Sequence, residues 1–144
     1  MDTVSTKTRS LIMARIKQRD SQLELEFRRK LWHAGIRYRK HVRVFGTPDL
    51  MLRKLKILIF IDSCFWHGCS FHCRMPKSNI AFWETKINRN RARDKKVSRY
   101  YRRRGYIVLR FWEHKIQADL AGCVSQILHV VGERRKEFVS AGRV

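Results

Sequence analysis

Acidic residues are scarce in this chain, and long apolar runs are missing. Only 12 of the 144 residues are Asp or Glu, against 33 Lys or Arg, which gives a formal net charge of +21 at pH 7. No apolar run could cross a bilayer, and we see no secretory signal or long amphipathic anchor, which argues against a membrane role. Repeats, low-complexity tracts and linkers are also missing. We therefore expect one globular domain over residues 1–144, with residues 1–8 as a flexible N-terminal arm.

The excess of positive charge indicates a polyanionic partner. Hydrophobic residues make up 44% of the sequence, which is enough for a real core. Nucleic acid is the partner that fits best, because the release of counterions from phosphates favours binding to a basic surface. The alternative is a set of solvated helix faces, but such faces usually carry charges of both signs.

The most informative segment is a strand pattern followed by a loop rich in cysteine and histidine. Residues 57–61 are apolar on both faces, which is typical of a buried central strand. Thiolates and imidazoles at short spacing favour Zn²⁺ over disulfides in a chain without a secretory signal, and they favour a reducing compartment. Free thiols and surface histidines are the alternative. The five potential ligands are Cys64, His67, Cys69, His72 and Cys73.

Hydrophobic periodicity predicts the remaining elements. Before the central strand we expect a short helix near residues 11–16, a helix to about residue 34 that stops at Gly35, one or two strands in residues 36–45, a strand over residues 49–52 and a tight turn at residues 53–54. After the central strand and its loop we expect a basic helix over residues 80–104, a strand over residues 106–112 and a helix over residues 118–138. A strand, a helix and a strand in succession predict a right-handed parallel crossover.

This order resembles the core of the restriction-endonuclease-like nucleases, which is an α/β fold with a mixed central sheet flanked by helices. Those enzymes carry a metal-binding Asp at the start of a hairpin strand, and a second acidic residue with a Lys at the end of the next strand. Pro48 and Asp49 match the first element, and the second falls at residues 60–62, where there is no lysine. Asp49 could instead be only a turn residue.

The chain is more closely similar to the very short patch repair (Vsr) endonucleases. The motif CFWH at residues 64–67 and the motif WEH at residues 112–114 are specific to that family, and matching residues extend in register over residues 8–114. The resemblance implies a bacterial, cytoplasmic, nucleoid-associated enzyme that acts as a monomer. It implies a metal-dependent hydrolase that nicks one DNA strand beside a T:G mismatch and so initiates repair. The resemblance leaves open whether other mismatch-repair proteins are partners.

The same resemblance suggests catalytic roles. Asp49 would hold Mg²⁺ through its carboxylate with help from the backbone carbonyl of Ile61, since this hard cation prefers oxygen ligands. His67 is the candidate base or water-orienting group, because imidazole titrates near neutral pH; it could instead bind zinc. Asp62 could bind metal or hold His67. Glu24 matches a family active-site carboxylate, or it serves only as a helix-capping residue.

For zinc we predict four ligands from two segments, which would tie them together. The ligands are Cys64, Cys69, His72 and His114, with Cys73 as an alternative for Cys69 or His72. Cys123 lies on the apolar face of the last predicted helix, so we predict that it belongs to the core.

Large aromatic side chains near the site resemble those that the family wedges into the base stack beside a mismatch. We expect the aromatic residues to be partly exposed, and core packing is the alternative. Two apolar residues of the first helix could press on the minor groove, while basic residues would bind phosphates. The predicted DNA contacts are Phe65, Trp66, Trp83, Met13, Ile16, Lys77, Lys86 and Arg93.

Two other functions stay open. A sequence-specific restriction-type endonuclease on the same fold would share Asp49, His67 and Mg²⁺, but it would cut both strands of paired duplexes, as a dimer. A non-catalytic, zinc-stapled DNA-binding module would need the charge and the cysteines but neither Asp49 nor Mg²⁺. The presence of Asp49, Asp62 and His67 around the ends of the same strands favours catalysis.

Overall fold

A computed structural model of the protein describes residues 22–63 and 78–142. The predicted N-terminal arm, the first helix and the cysteine- and histidine-rich loop lie outside these residues. The described elements are α1 (Gln22–His33), β1 (Arg39–Lys40), β2 (Leu50–Leu52), β3 (Ile57–Asp62), α2 (Ile80–Arg103), β4 (Ile107–Trp112), α3 (Glu113–Ala118) and α4 (Leu120–Ser140).

The strands form a mixed sheet in the order β1-β2-β3-β4. Neighbouring strands are antiparallel from β1 to β3, whereas β3 and β4 are parallel, with Ile57 opposite Ile107 and Asp62 opposite Trp112. The predicted parallel crossover through the basic helix is therefore confirmed. Because β3 and β4 run in the same direction, both end at the same edge of the sheet, where the chain enters residues 64–77.

Strand β3 is buried on both faces, as its apolar sequence predicted. Leu58 and Phe60 pack with Val97 and Tyr101 of α2 on one face. On the other face Ile57 and Ile59 belong to a core cluster that also contains residues of α1 and α4. Full burial of one such side chain contributes about 1.5–3 kcal/mol, so the sheet is held mainly by these two apolar layers.

Glycines end two of the helices at the predicted positions. Gly35 and Gly105 have φ angles of +92° and +83°. After α1 the N–H of Ile36 donates to the carbonyl of Leu31 at 3.0 Å, and after α2 the N–H of Tyr106 donates to the carbonyl of Tyr101 at 3.0 Å. These bonds satisfy carbonyls that the helix leaves without partners, in a geometry that favours glycine.

Two predictions need correction, and one helix was not predicted. Within residues 36–45 only Arg39–Lys40 forms a strand. His41 adopts a left-handed conformation (φ +54°), which ends β1 after two residues. The short helix Glu113–Ala118 was missed, and the final helix begins at Leu120, where the Asp119 carboxylate caps it by accepting the Gly122 N–H at 2.9 Å. In the described residues no helix is long and apolar enough to span a membrane.

Candidate active site

Asp49 lies against the backbone at the end of β3. Its N–H donates to the carbonyl of Ile59 at 3.1 Å, and its Oδ2 accepts the N–H of Ile61 at 2.6 Å. The N–H and C=O of one strand residue face the same neighbouring strand, so the carbonyl of Ile61 also faces the β2 side, where Asp49 lies. The structure thus brings Asp49 and Ile61 together, through the amide of Ile61.

Asp62 forms an ion pair that the sequence analysis did not predict. Its Oδ1 accepts from Nη1 of Arg110 on β4 at 3.0 Å, and the two side chains are 9% and 20% exposed. Arg110 also donates from Nε to Ser98 Oγ at 3.0 Å and from Nη2 to the carbonyl of Asp94 at 3.3 Å. Its guanidinium lies 4.1 Å from the centre of the Phe60 ring. The sequence does contain a signal for this ion pair, because Arg110 lies inside an otherwise apolar strand.

Glu24 lies on α1 and forms an ion pair with Arg28 at 3.6 Å. Arg28 is buried, and its carbonyl accepts the Tyr38 hydroxyl at 2.9 Å. Burial raises the pKa of Tyr38, although Arg28 and Arg37 oppose that shift. One turn after Glu24, the Phe27 ring contacts the Phe111 ring with centroids 5.8 Å apart. Since Phe111 pairs with Ile61, this contact places α1 over the end of β3.

His114 lies just beyond the end of β4. Its ring stacks on Trp112 with centroids 6.3 Å apart, and Trp112 is the residue opposite Asp62 in the sheet. His114 is therefore near the point where the chain enters residues 64–77, which contain every other predicted zinc ligand and also His67. Over residues 22–63 and 78–142, no three His, Cys, Asp or Glu side chains form a group that could hold a metal.

Cys123 is buried in the core, as predicted. Burial raises the pKa of its thiol, and the nearby Lys115 opposes this shift. A buried thiol of raised pKa is a poor nucleophile and a poor metal ligand. We therefore assign Cys123 to the core and not to the predicted zinc site.

The predicted partial exposure of Trp83 is wrong, because only 8% of this residue is exposed. Its neighbour Phe82 is 58% exposed, and the two rings meet edge to face with centroids 5.1 Å apart. The Lys86 ammonium lies 5.9 Å from the Phe82 ring centre and 5.7 Å from that of Trp83. Arg93 is exposed on the same helix. Of this pair, Phe82 is thus the exposed aromatic side chain, and sequence periodicity did not single it out.

The predicted DNA contacts Met13, Ile16, Phe65, Trp66 and Lys77 lie outside the described residues. So do the predicted zinc ligands Cys64, Cys69 and His72, the alternative ligand Cys73, and the candidate base His67. The site that the structure describes therefore consists of Asp49 and Ile61 at the end of β3, the ion pair of Asp62 beside them, Glu24 on the covering helix, and His114 beyond β4.

Comparison with known proteins identifies the family of this chain. Residues 1–74 match the family described as DNA mismatch endonuclease Vsr. The chain is 44% identical over 116 residues to the type II nicking enzyme V.HpaIIP of Haemophilus parainfluenzae, which covers 78% of this chain and 82% of that protein. It is 33% identical to the nicking enzyme V.NmeDIP of Neisseria meningitidis serogroup C, over 94% and 93% of the two chains.

A third relative carries the family name itself. The chain is 31% identical over 116 residues to the DNA mismatch endonuclease Vsr of Escherichia coli K12, which covers 78% of this chain and 73% of that protein. The mixed sheet flanked by helices fits the restriction-endonuclease-like fold predicted from the order of elements. With this fold and these relatives, the chain belongs to the Vsr family and is a DNA endonuclease.

Proposed function

We propose that the protein nicks one strand of duplex DNA beside a T:G mismatch in a Mg²⁺-dependent reaction, and so initiates very short patch repair. The observation that carries the proposal is the Asp49 carboxylate, held at 2.6 Å by the amide of Ile61 at the end of β3. The relatives support it, because several are named nicking enzymes and one is named a mismatch endonuclease.

The donor atoms at the end of β3 fit a hard divalent cation. Asp49 supplies carboxylate oxygen and Ile61 a backbone carbonyl on the same side of the strand, and Mg²⁺ prefers oxygen ligands. A bound Mg²⁺ would neutralise negative charge that develops on the phosphate. The protein's own contribution is positional: the Ile61 amide fixes one carboxylate oxygen, and the antiparallel pairing of β2 with β3 fixes the distance between the two residues.

The remaining candidates take different roles. His67 would accept or orient the proton of the attacking water, because imidazole can exchange a proton near neutral pH. Asp62 is held by Arg110, so we assign it to fixing the strand end from which the Cys- and His-rich loop leaves. Glu24 would add a carboxylate from the helix that covers this end of the sheet.

We further propose a structural zinc ion bound by Cys64, Cys69, His72 and His114. The support is the position of His114 beyond β4, because parallel β3 and β4 end at the same edge and the other three ligands follow β3. A tetrahedral Zn²⁺ would join the loop to the start of α3 and so limit the motion of His67.

The test is a nicking assay on matched duplexes with and without a T:G mismatch, in several sequence contexts. The key variant is Asp49→Asn, whose side-chain oxygen can still accept the Ile61 N–H although the charge is lost. We expect a loss of Mg²⁺-dependent nicking beyond the roughly 10–100-fold typical of outer-shell partners. Asp119→Asn is the matched control, since Asn also caps helices well.

Three results would contradict the proposal. Cleavage of both strands of paired DNA would indicate a restriction-type endonuclease. Equal nicking by wild type and Asp49→Asn would remove Asp49 from the chemistry. Binding to both duplexes without any cleavage by the wild type would favour a non-catalytic, zinc-stapled DNA-binding module.

A further inference from the structure

The second half of α2 borders an open pocket of about 620 Å³. Five of its lining residues are basic, and four of these lie on α2: Lys95, Arg99, Arg102 and Arg103. We call this set the α2 basic groove. All four are exposed, and within the described part of the chain none of the four side chains pairs with a carboxylate. Arg110 also lines the pocket, but Asp62 and Asp94 neutralise it.

The spacing of these four residues places like charges together. Residues at positions i, i+4, i+7 and i+8 share one helix face, so Arg99 lies next to each of the other three. A like-charge pair at this spacing destabilises a helix. The groove therefore carries a stability cost in the free protein, and a bound polyanion would remove that cost.

The dimensions fit a DNA backbone better than a single small anion. From Lys95 to Arg103 the helix advances about 12 Å, at about 1.5 Å per residue. Successive phosphates of one strand rise about 3.4 Å along the duplex axis, so this length matches three or four phosphates. A lone phosphate would engage only part of the groove.

The groove also has a defined position relative to the candidate active site. Helix α2 passes the end of β3 at Asp94, because Arg110 Nη1 lies 3.0 Å from Asp62 Oδ1 and 3.7 Å from Asp94 Oδ1. Lys95 therefore lies beside the end of β3, and Arg103 lies about 12 Å farther along the helix toward the start of β4, at about 1.5 Å per residue. At about 3.4 Å per base pair, this range corresponds to about the first four base pairs of duplex beyond the end of β3.

We propose that the α2 basic groove binds the sugar-phosphate backbone of the flanking duplex, within about four base pairs on one side of the mismatch, at about 3.4 Å per base pair. This proposal rests on the proposed function, because it needs the mismatch to lie at the end of β3. It extends the protein's footprint on DNA beyond the reacting strand. It also makes the affinity dependent on how much duplex flanks the mismatch.

The test is a salt titration of duplex binding by fluorescence anisotropy. The variant is Arg99→Gln/Arg103→Gln, and the control is Arg53→Gln/Arg135→Gln, which removes the same charge from exposed positions elsewhere. Each lost phosphate contact lowers the slope of log K against log salt by about 0.9, so we expect a decrease of about 1.8 for the variant. The control should keep the wild-type slope.

Truncated duplexes locate the contact. Two duplexes are used, each cut back to about one base pair on a different side of the mismatch and left long on the other side. On the duplex that lacks the groove side, wild type and Arg99→Gln/Arg103→Gln should bind equally, because Arg99 lies about 8 Å from Asp94 along α2, at about 1.5 Å per residue, which is beyond the truncated end. Loss of affinity of the variant on both truncated duplexes would overturn the flanking position. Equal slopes for wild type and variant on the long duplex, or equal losses for variant and control, would overturn the groove itself. Failure of wild type to bind any duplex would instead contradict the proposed function.

Thermal melting at low salt gives an independent readout. Because the variant removes like-charge neighbours, its Tm should equal or exceed that of wild type, whereas a merely structural arginine would lower it when replaced. If Arg99→Gln/Arg103→Gln does not fold, Lys95→Gln/Arg102→Gln provides the same test of the slope from the other two positions. Wild-type slopes in that second variant would also overturn the proposal.

Discussion

Replacing Arg110 with Met should destabilise the protein by about 3 kcal/mol. Removing one partner of a buried ion pair costs about 3–5 kcal/mol, because the other charge stays buried without compensation. The side chains of Arg110 and Asp62 are 20% and 9% exposed, which places the expected cost at the lower end. Met retains an aliphatic stem that can pack on Phe60, so the charge and the donors are what the substitution removes.

The partner substitution should cost much less. In Asp62→Asn the side-chain oxygen can still accept from Arg110, and the guanidinium keeps Ser98 and Asp94 as partners. We expect about 1 kcal/mol, the usual net value of one hydrogen bond. The double variant Asp62→Asn/Arg110→Met should lose less than the sum of the single variants, with a coupling in the range of about 0.5–3 kcal/mol found for contacting residues.

Urea denaturation followed by circular dichroism measures these differences at constant m value. For a protein of this size a loss of 3 kcal/mol corresponds to a decrease in Tm of roughly 6–12 °C. Arg135→Met, an exposed change on α4, is the control and should stay within about 0.5 kcal/mol of wild type. An Arg110→Met variant that matches this control would refute the argument that the ion pair organises the strand end.

Two further predictions concern a glycine and the zinc site. Gly46→Ala should lower the free energy of unfolding by about 1–3 kcal/mol, since the new Cβ would lie 2.4 Å from Val97 Cγ1 at a residue with φ +81°. In thermal melts Gly132→Ala, which has no such neighbour within 4 Å, should be neutral or stabilising. His114→Ala should lose bound zinc as measured by elemental analysis, whereas His129→Ala on the exposed side of α4 should keep it; full zinc retention in His114→Ala would exclude this ligand.

The sequence predicted the parts of the fold that depend on long regular patterns. Strand β3, helix α2 and strand β4 appear within one or two residues of their expected positions, because their periodicity extends over many residues. Residues 36–45 alternate only loosely, and the left-handed conformation of His41 is not visible in such a pattern. The resemblance to a family indicated Asp49 and Ile61, and the structure places them in contact.

Features that depend on tertiary register could not be predicted. The ion pair of Asp62 with Arg110 exists because β3 and β4 are parallel with Asp62 opposite Trp112, and no local pattern contains that register. Burial of Trp83 and exposure of Phe82 likewise depend on the rotation of α2 against the sheet. Adjacent aromatic residues in a helix point in directions about 100° apart, so a small error in phase exchanges their roles.

Helix α2 combines two functions on two separate faces. One face buries Val97 and Tyr101 against the sheet, and burial raises the pKa of the Tyr101 hydroxyl, which donates to the carbonyl of Phe45. The other face carries the α2 basic groove. Because hydrophobic burial is insensitive to moderate salt whereas phosphate contacts are not, substitutions on the two faces should affect different measurements. Changes in the core should lower stability at every salt concentration, and changes in the groove should alter the salt dependence of DNA binding without lowering stability.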